Sequence, residues 1–137
     1  MPNYSVTEIE GIGEVYAAKL QQAGIKTVNT ILEKGKTARG RKALTAETGI
    51  DAKLILKWVN MADLFRVKGI GKEYSELLEK AGVDTVKELR NRNPENLMAK
   101  MQEVNAAGRQ LVKSLPAPKT VASWVEAAKT LDPQVTY

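Results

Sequence analysis

The chain has 137 residues, with 21 Lys and Arg against 16 Asp and Glu, a formal net charge of +5, and neither Cys nor His. Disulfides, thiolate or imidazole nucleophiles and the usual zinc ligand sets are thereby excluded, and a reducing, intracellular setting suits the chain. The positive balance is compatible with a polyanionic partner, but acidic residues interspersed among the basic ones keep charge from deciding the matter.

Apolar residues make up 43% of the sequence and aromatic ones only 5%, so a core of Leu, Ile, Val and Ala between helices is expected. Residues 1 to 5 carry neither a basic segment nor an apolar one, and no apolar run is long enough to span a bilayer. The expectation is a cytoplasmic protein without a secretory signal or a membrane partner.

The first organising stretch is Ile9-Glu10-Gly11-Ile12-Gly13-Glu14. Two glycines around one apolar residue allow a tight turn directly into a helix, whose unshielded N–H groups and dipole suit a phosphate. The helix after Gly13 carries Tyr16, Leu20 and Ala23 on one face, and Gly24 fits a C-terminal glycine. Thr27 is then the expected N-cap of a short helix. Lys34, Lys36, Arg39, Arg41 and Lys42 follow, interleaved with Gly35 and Gly40. That run reads either as a solvated loop entering a helix or as a mobile basic edge touching phosphates without reading bases. Asp51 is the expected N-cap of a helix over 52–65, with Ile55, Trp58, Val59, Ala62 and Phe65 as its apolar stripe.

The opening stretch then recurs. Val67-Lys68-Gly69-Ile70-Gly71-Lys72 lies 58 positions after its counterpart, and Tyr74, Leu78, Ala81-Gly82 and Thr85-Val86 match Tyr16, Leu20, Ala23-Gly24 and Thr27-Val28. The chain is therefore a duplication. Thr85 and Glu88 fit a capping box, and Asn93-Pro94 starts another helix. A closing helix bears Val121, Trp124, Val125, Ala128 and Leu131, 66 positions after the first stripe. The added residues fit a break at Ser114–Pro118. Weaker echoes of the glycine turn, Glu47–Ala52 and Gln102–Ala106, each place a short turn before a new helix. The division expected is 1–66 and 67–137, the latter ending in a frayed tail.

Leu64 to Leu78 resembles the helix-hairpin-helix motif: an apolar helix, a Gly-apolar-Gly hairpin, a small residue four positions on, then apolar positions. Lys19 to Val28 is similar to the N-terminal domain of RecA-like recombinases and to the C-terminal domain of RNA polymerase alpha. The chain most resembles an uncharacterised family of small proteins made of two such paired-hairpin domains. The resemblance implies an all-α fold of two tandem paired helix-hairpin-helix (SAM-like) units, each of about five short helices. It also implies sequence-independent binding of the DNA backbone by hairpin N–H groups, accompanied in some members by a monovalent cation at the hairpin carbonyls, here those of Gly69–Gly71; no cofactor is otherwise expected.

Carried over, Gly69, Ile70 and Gly71 form that hairpin, between Lys68 and Lys72. Gly11, Ile12 and Gly13 match, but Glu10 and Glu14 oppose a phosphate there. Two functional readings follow: DNA binding through the second hairpin and the Lys34–Lys42 run, or a protein-interaction module that keeps the fold without DNA. Catalysis is not expected, since the family glycosylases with a hairpin lysine pair it with an Asp in a larger scaffold. Self-association is left open.

Overall fold

The computed structural model describes residues 4–107 and 110–137, so the first three residues of the segment read for a secretory signal lie outside it. The architecture is all-α. A 3-10 turn, Val6–Glu8, is followed by α1 (Glu14–Gln22), α2 (Val28–Gly35), α3 (Ala38–Thr48), α4 (Ala52–Leu64), α5 (Lys72–Lys80), α6 (Val86–Leu89), α7 (Pro94–Ala106) and α8 (Pro118–Lys129). Among the described residues no helix is long and apolar enough to cross a membrane.

Side chains set the helix starts, as the cap preferences require. Thr27, Thr37, Thr85 and Asn93 accept hydrogen bonds from the N–H groups of Thr30, Gly40, Glu88 and Asn96. The capping box at α6 is displaced by one residue, because Glu88 accepts from the Asp84 N–H at 3.3 Å. Gly24 and Gly82 end α1 and α5 with φ of 82° and 92°.

The chain forms two compact units, Met1–Asp63 together with Gln134–Tyr137, and Leu64–Pro133. In the first, Ile9, Leu20, Ile25, Ile31, Ile55, Trp58 and Val59 are fully buried. In the second, Leu77, Leu78, Val83, Leu89, Leu97, Met101, Val121 and Trp124 do the same work.

Two expectations require correction. Gln102–Ala106 is not a turn but the last stretch of α7; with no glycine pair and no cap there, the helix simply continues. The irregular segment comes afterwards, where the Asn105 carboxamide accepts from the Leu111 and Val112 N–H groups at 2.8 and 3.1 Å. The C-terminal tail is not a frayed end either. Thr136 N–H donates to the Lys36 carbonyl at 2.8 Å, Val135 is buried, and Tyr137 Oη reaches Asn60 at 3.4 Å.

Candidate nucleic-acid interface

The second glycine turn is built from two short backbone closures. Val67 N–H donates to Leu64 O and Ile70 N–H to Val67 O, each at 3.1 Å. Gly69 between them has φ +94°, which a residue with a Cβ adopts only under strain. The Ile70 side chain is 3% exposed and anchors the turn in the core, so Ile70 can offer a ligand only its main chain.

Gly71 then stands at the N-cap of α5 with no side-chain cap, and Ser75 N–H closes the first helical bond to Gly71 O at 2.9 Å. The amides of Lys72 to Tyr74 therefore have no acceptor behind them in the helix. Lys68 and Lys72 are both exposed beside these amides. Of the Gly69–Gly71 carbonyls that a monovalent cation would use, Gly71 O already accepts one hydrogen bond.

The two glycines of the pair differ in kind. A Cβ at Gly69 would stand 3.2 Å from Trp124 Nε1, whereas a Cβ at Gly71 would meet nothing within 4 Å. Gly71 has φ −122°, an extended conformation open to any residue. Only the first glycine is required by the turn.

The first unit repeats the arrangement. Gly11 has φ +96° with Trp58 Nε1 3.3 Å from its Cβ position, Ile12 is 4% exposed, and Gly13 is an uncapped N-cap with open space around it. The tryptophans carry matching aromatic partners: Tyr16 lies 5.1 Å from Trp58 and Tyr74 lies 5.2 Å from Trp124, ring to ring. Here Glu14 is exposed where the second turn has Lys72, and Glu10 is half-buried where it has Lys68.

A third turn shares the left-handed glycine and the buried isoleucine but not the backbone closures, since Gly49 N–H donates to Thr45 O and Ile50 N–H to the Thr48 hydroxyl. Gly49 has φ +73°, Ile50 is 2% exposed, and Asp51 stands where Gly13 and Gly71 stand. The Asp51 carboxylate accepts the Lys53 N–H at 2.7 Å, so this helix start holds its own anion. Sequence reasoning saw the Asp51 cap but took the turn for a degraded copy. The Gly-Ile pair before the cap was the available signal.

The basic run is not a loop: it spans the end of α2, the two capping residues Lys36 and Thr37, and the start of α3. Its glycines are packing positions, since a Cβ at Gly35 would collide with Val59 and one at Gly40 with the Lys34 carbonyl. Lys34 Nζ donates to Ala23 O at 3.0 Å, closing the end of α1, and Lys36 pairs with Glu33 at 3.0 Å. Arg41 is 7% exposed and donates to Gly35 O at 2.9 Å and Thr136 O at 2.7 Å, with its guanidinium 5.8 Å from the Tyr137 ring centre. Burial holds its pKa below the ordinary arginine value, against an opposing influence from Tyr137. Arg41 is thus a structural residue and leaves the candidate site. Arg39 and Lys42 are exposed on the opening turns of α3.

The family model for the domain of unknown function DUF4332 matches residues 10–131, and the chain belongs to that family. No curated protein and no solved structure matches it.

Proposed function

We propose that the two glycine pairs are helix-hairpin-helix turns, and that the second, Lys68–Lys72, binds the nucleic-acid backbone without reading sequence. The observation that carries this reading is Gly71. Nothing in its backbone angles or surroundings calls for glycine, and Ser, Thr, Asp or Asn would cap α5 better. Glycine there supplies no side-chain acceptor of its own to the first-turn amides, so that a phosphate oxygen can approach them. Lys68 and Lys72 add charge without base readout.

The start of α3 supports a contribution from Arg39 and Lys42. No acidic residue stands in its first turn, and cations at a helix N-terminus oppose the dipole unless an anion joins them. The module is a binding protein rather than an enzyme, and no part of the reading depends on a monovalent cation.

The test is fluorescence anisotropy with a labelled duplex across a salt series. About two phosphate contacts give a log–log slope near −2, so raising salt from about 50 to 200 mM should weaken binding roughly tenfold. K68E/K72E should abolish the signal with helix content unchanged. Binding equal to wild type in that variant, or none at low salt in either chain, refutes the reading.

A second reading applies to the first turn, where Val15 is 69% exposed beside Glu14. Glu10 and Glu14 repel a phosphate at this turn, which leaves it, with Val15, to a protein partner instead. Val15→Asp should then release a defined protein captured from nuclease-treated extract while duplex binding persists.

A further inference from the structure

Away from the glycine turns, α3 and α4 leave a groove of about 320 Å³ in the first unit. Ala38, Lys42, Thr45, Ala52, Lys53 and Leu56 line it, together with Arg41, whose guanidinium is committed to Gly35 O and Thr136 O. The walls are aliphatic, since Ala38, Ala52 and Leu56 carry no polar side-chain atom and lysine stems are apolar up to the ammonium. Among the described residues no Asp, Glu or aromatic side chain lines it. Lys42 and Lys53 are exposed, and among the described residues neither ammonium is paired. Asp51, beside Ala52 in sequence, has its carboxylate on the Lys53 backbone N–H. The Thr45 hydroxyl is buried and has no hydrogen-bond partner, which is uncommon for a buried polar atom.

We infer that this groove binds a small carboxylate with an aliphatic body. At about 30 Å³ per non-hydrogen atom, the share of a water in the liquid, the space holds roughly ten such atoms. The body lies on Ala38, Ala52 and Leu56, and the carboxylate accepts from the Lys42 and Lys53 ammonium groups in charge-assisted bonds. The Thr45 hydroxyl turns to the second of the two rotamers that a helix allows it and donates to the same head group. A nucleotide base fits poorly, having no aromatic face to stack on and few polar atoms to meet its edges. Apart from Lys42, no residue is shared with the proposed nucleic-acid contacts.

The experiment titrates sodium octanoate into the ¹⁵N-labelled full chain and follows the backbone amides. A saturable shift confined to residues of α3 and the start of α4 is expected, with a Kd in the millimolar range that suits so small a ligand. Acetate, which lacks the body, and octanol, which lacks the charge, should each bind at least about threefold more weakly. K42Q/K53Q should weaken octanoate binding about three- to tenfold, and T45V about two- to tenfold. A52F places a ring in the groove from an exposed position and should abolish binding with helix content unchanged. K68E/K72E should leave octanoate binding as it is, whatever that variant does to duplex binding.

The absence of a saturable shift, a shift centred on the glycine turns, or equal binding of octanol and octanoate overturns the inference. Undiminished binding by K42Q/K53Q, T45V or A52F overturns it as well. The comparison of octanoate, acetate and octanol on the wild-type chain needs no variant, and it decides alone should a variant not fold.

Discussion

Gly71→Asp separates the structural from the functional role of the second turn, because its two readouts move in opposite directions. The backbone of Gly71, at φ −122° and ψ −151°, admits aspartate, and nothing lies within 4 Å of the new Cβ. The equivalent turn at Asp51 shows where the carboxylate goes: onto an N–H of its own helix, at 2.7 Å. Replacing an N-cap glycine by aspartate contributes a few tenths of a kcal/mol, and a negative charge at the helix start adds roughly 0.3–1 kcal/mol. The sum, about 0.5–1 kcal/mol, corresponds to a Tm rise of roughly 2–6 °C for a unit of this size. Duplex binding should fall at least about tenfold, because a fixed carboxylate takes the amides and repels the phosphate. Thermal melts by circular dichroism and anisotropy on the same preparation check both. A higher Tm with undiminished binding would show that these amides are not the ligand contact. A lower Tm would show that Gly71 is needed by the fold after all.

Gly69→Ala should cost about 1–2 kcal/mol in urea melts, since it places a Cβ at positive φ against Trp124, whereas Gly71→Ala should stay within about 0.5 kcal/mol of wild type. Truncation after Pro133 removes the Thr136 carbonyl and the Tyr137 ring from the Arg41 guanidinium. A cost of about 2–3 kcal/mol to the first unit is expected, and Arg41→Ala should cost less in the truncated chain than in the full one. The Asp84 carboxyl is held above its ordinary 3.8 by burial and then by the nearby Glu88 and Glu79. Such a group binds its proton more tightly folded than unfolded, so stability falls as pH rises from below 3.8 through the folded-state value and stays lower above it. Asp84→Asn should therefore raise Tm at neutral pH and remove that acid-side slope, as melts from about pH 3 to pH 7 will show.

The elements best legible in the sequence are those fixed by local chemistry. The caps at Thr27, Asp51, Thr85 and Asn93, the αL glycines 24 and 82, and the stripe from Ile55 to Phe65 each follow from residues within a few positions. Arg41 was not legible, because its burial depends on Thr136, 95 positions away. As one cation among five it looked like surface. The continuation of α7 through Ala106 was missed for a related reason: the turn was inferred from repeat symmetry, while the residues there carry no signal that stops a helix. In the candidate site, the sequence identified both glycines of each pair but not that only one of them is bound by geometry.

That distinction bears on why the glycines are there. Three turns share a left-handed glycine, a buried isoleucine and a helix start, and they differ at the capping position: Gly13, Gly71 and Asp51. A capping glycine is only a few tenths of a kcal/mol worse than aspartate, so one such residue carries little weight. Two in equivalent places, each with open space around it, are harder to attribute to indifference. Asp51 demonstrates that a helix start behind a left-handed glycine and a buried isoleucine accepts the better cap. The open turns give up a small local stabilisation that the closed one keeps, and the lysines at 68 and 72 stand beside one of the open pair. A third turn opened by Asp51→Gly, beside exposed Lys53, would gain affinity for a phosphate backbone only if the cap is what closes it. The same variant should lose a few tenths of a kcal/mol in stability. Measured together by anisotropy and thermal melt, a loss of stability with no gain in binding would mean that an open helix start is insufficient. The lysines, rather than the missing cap, would then define the site.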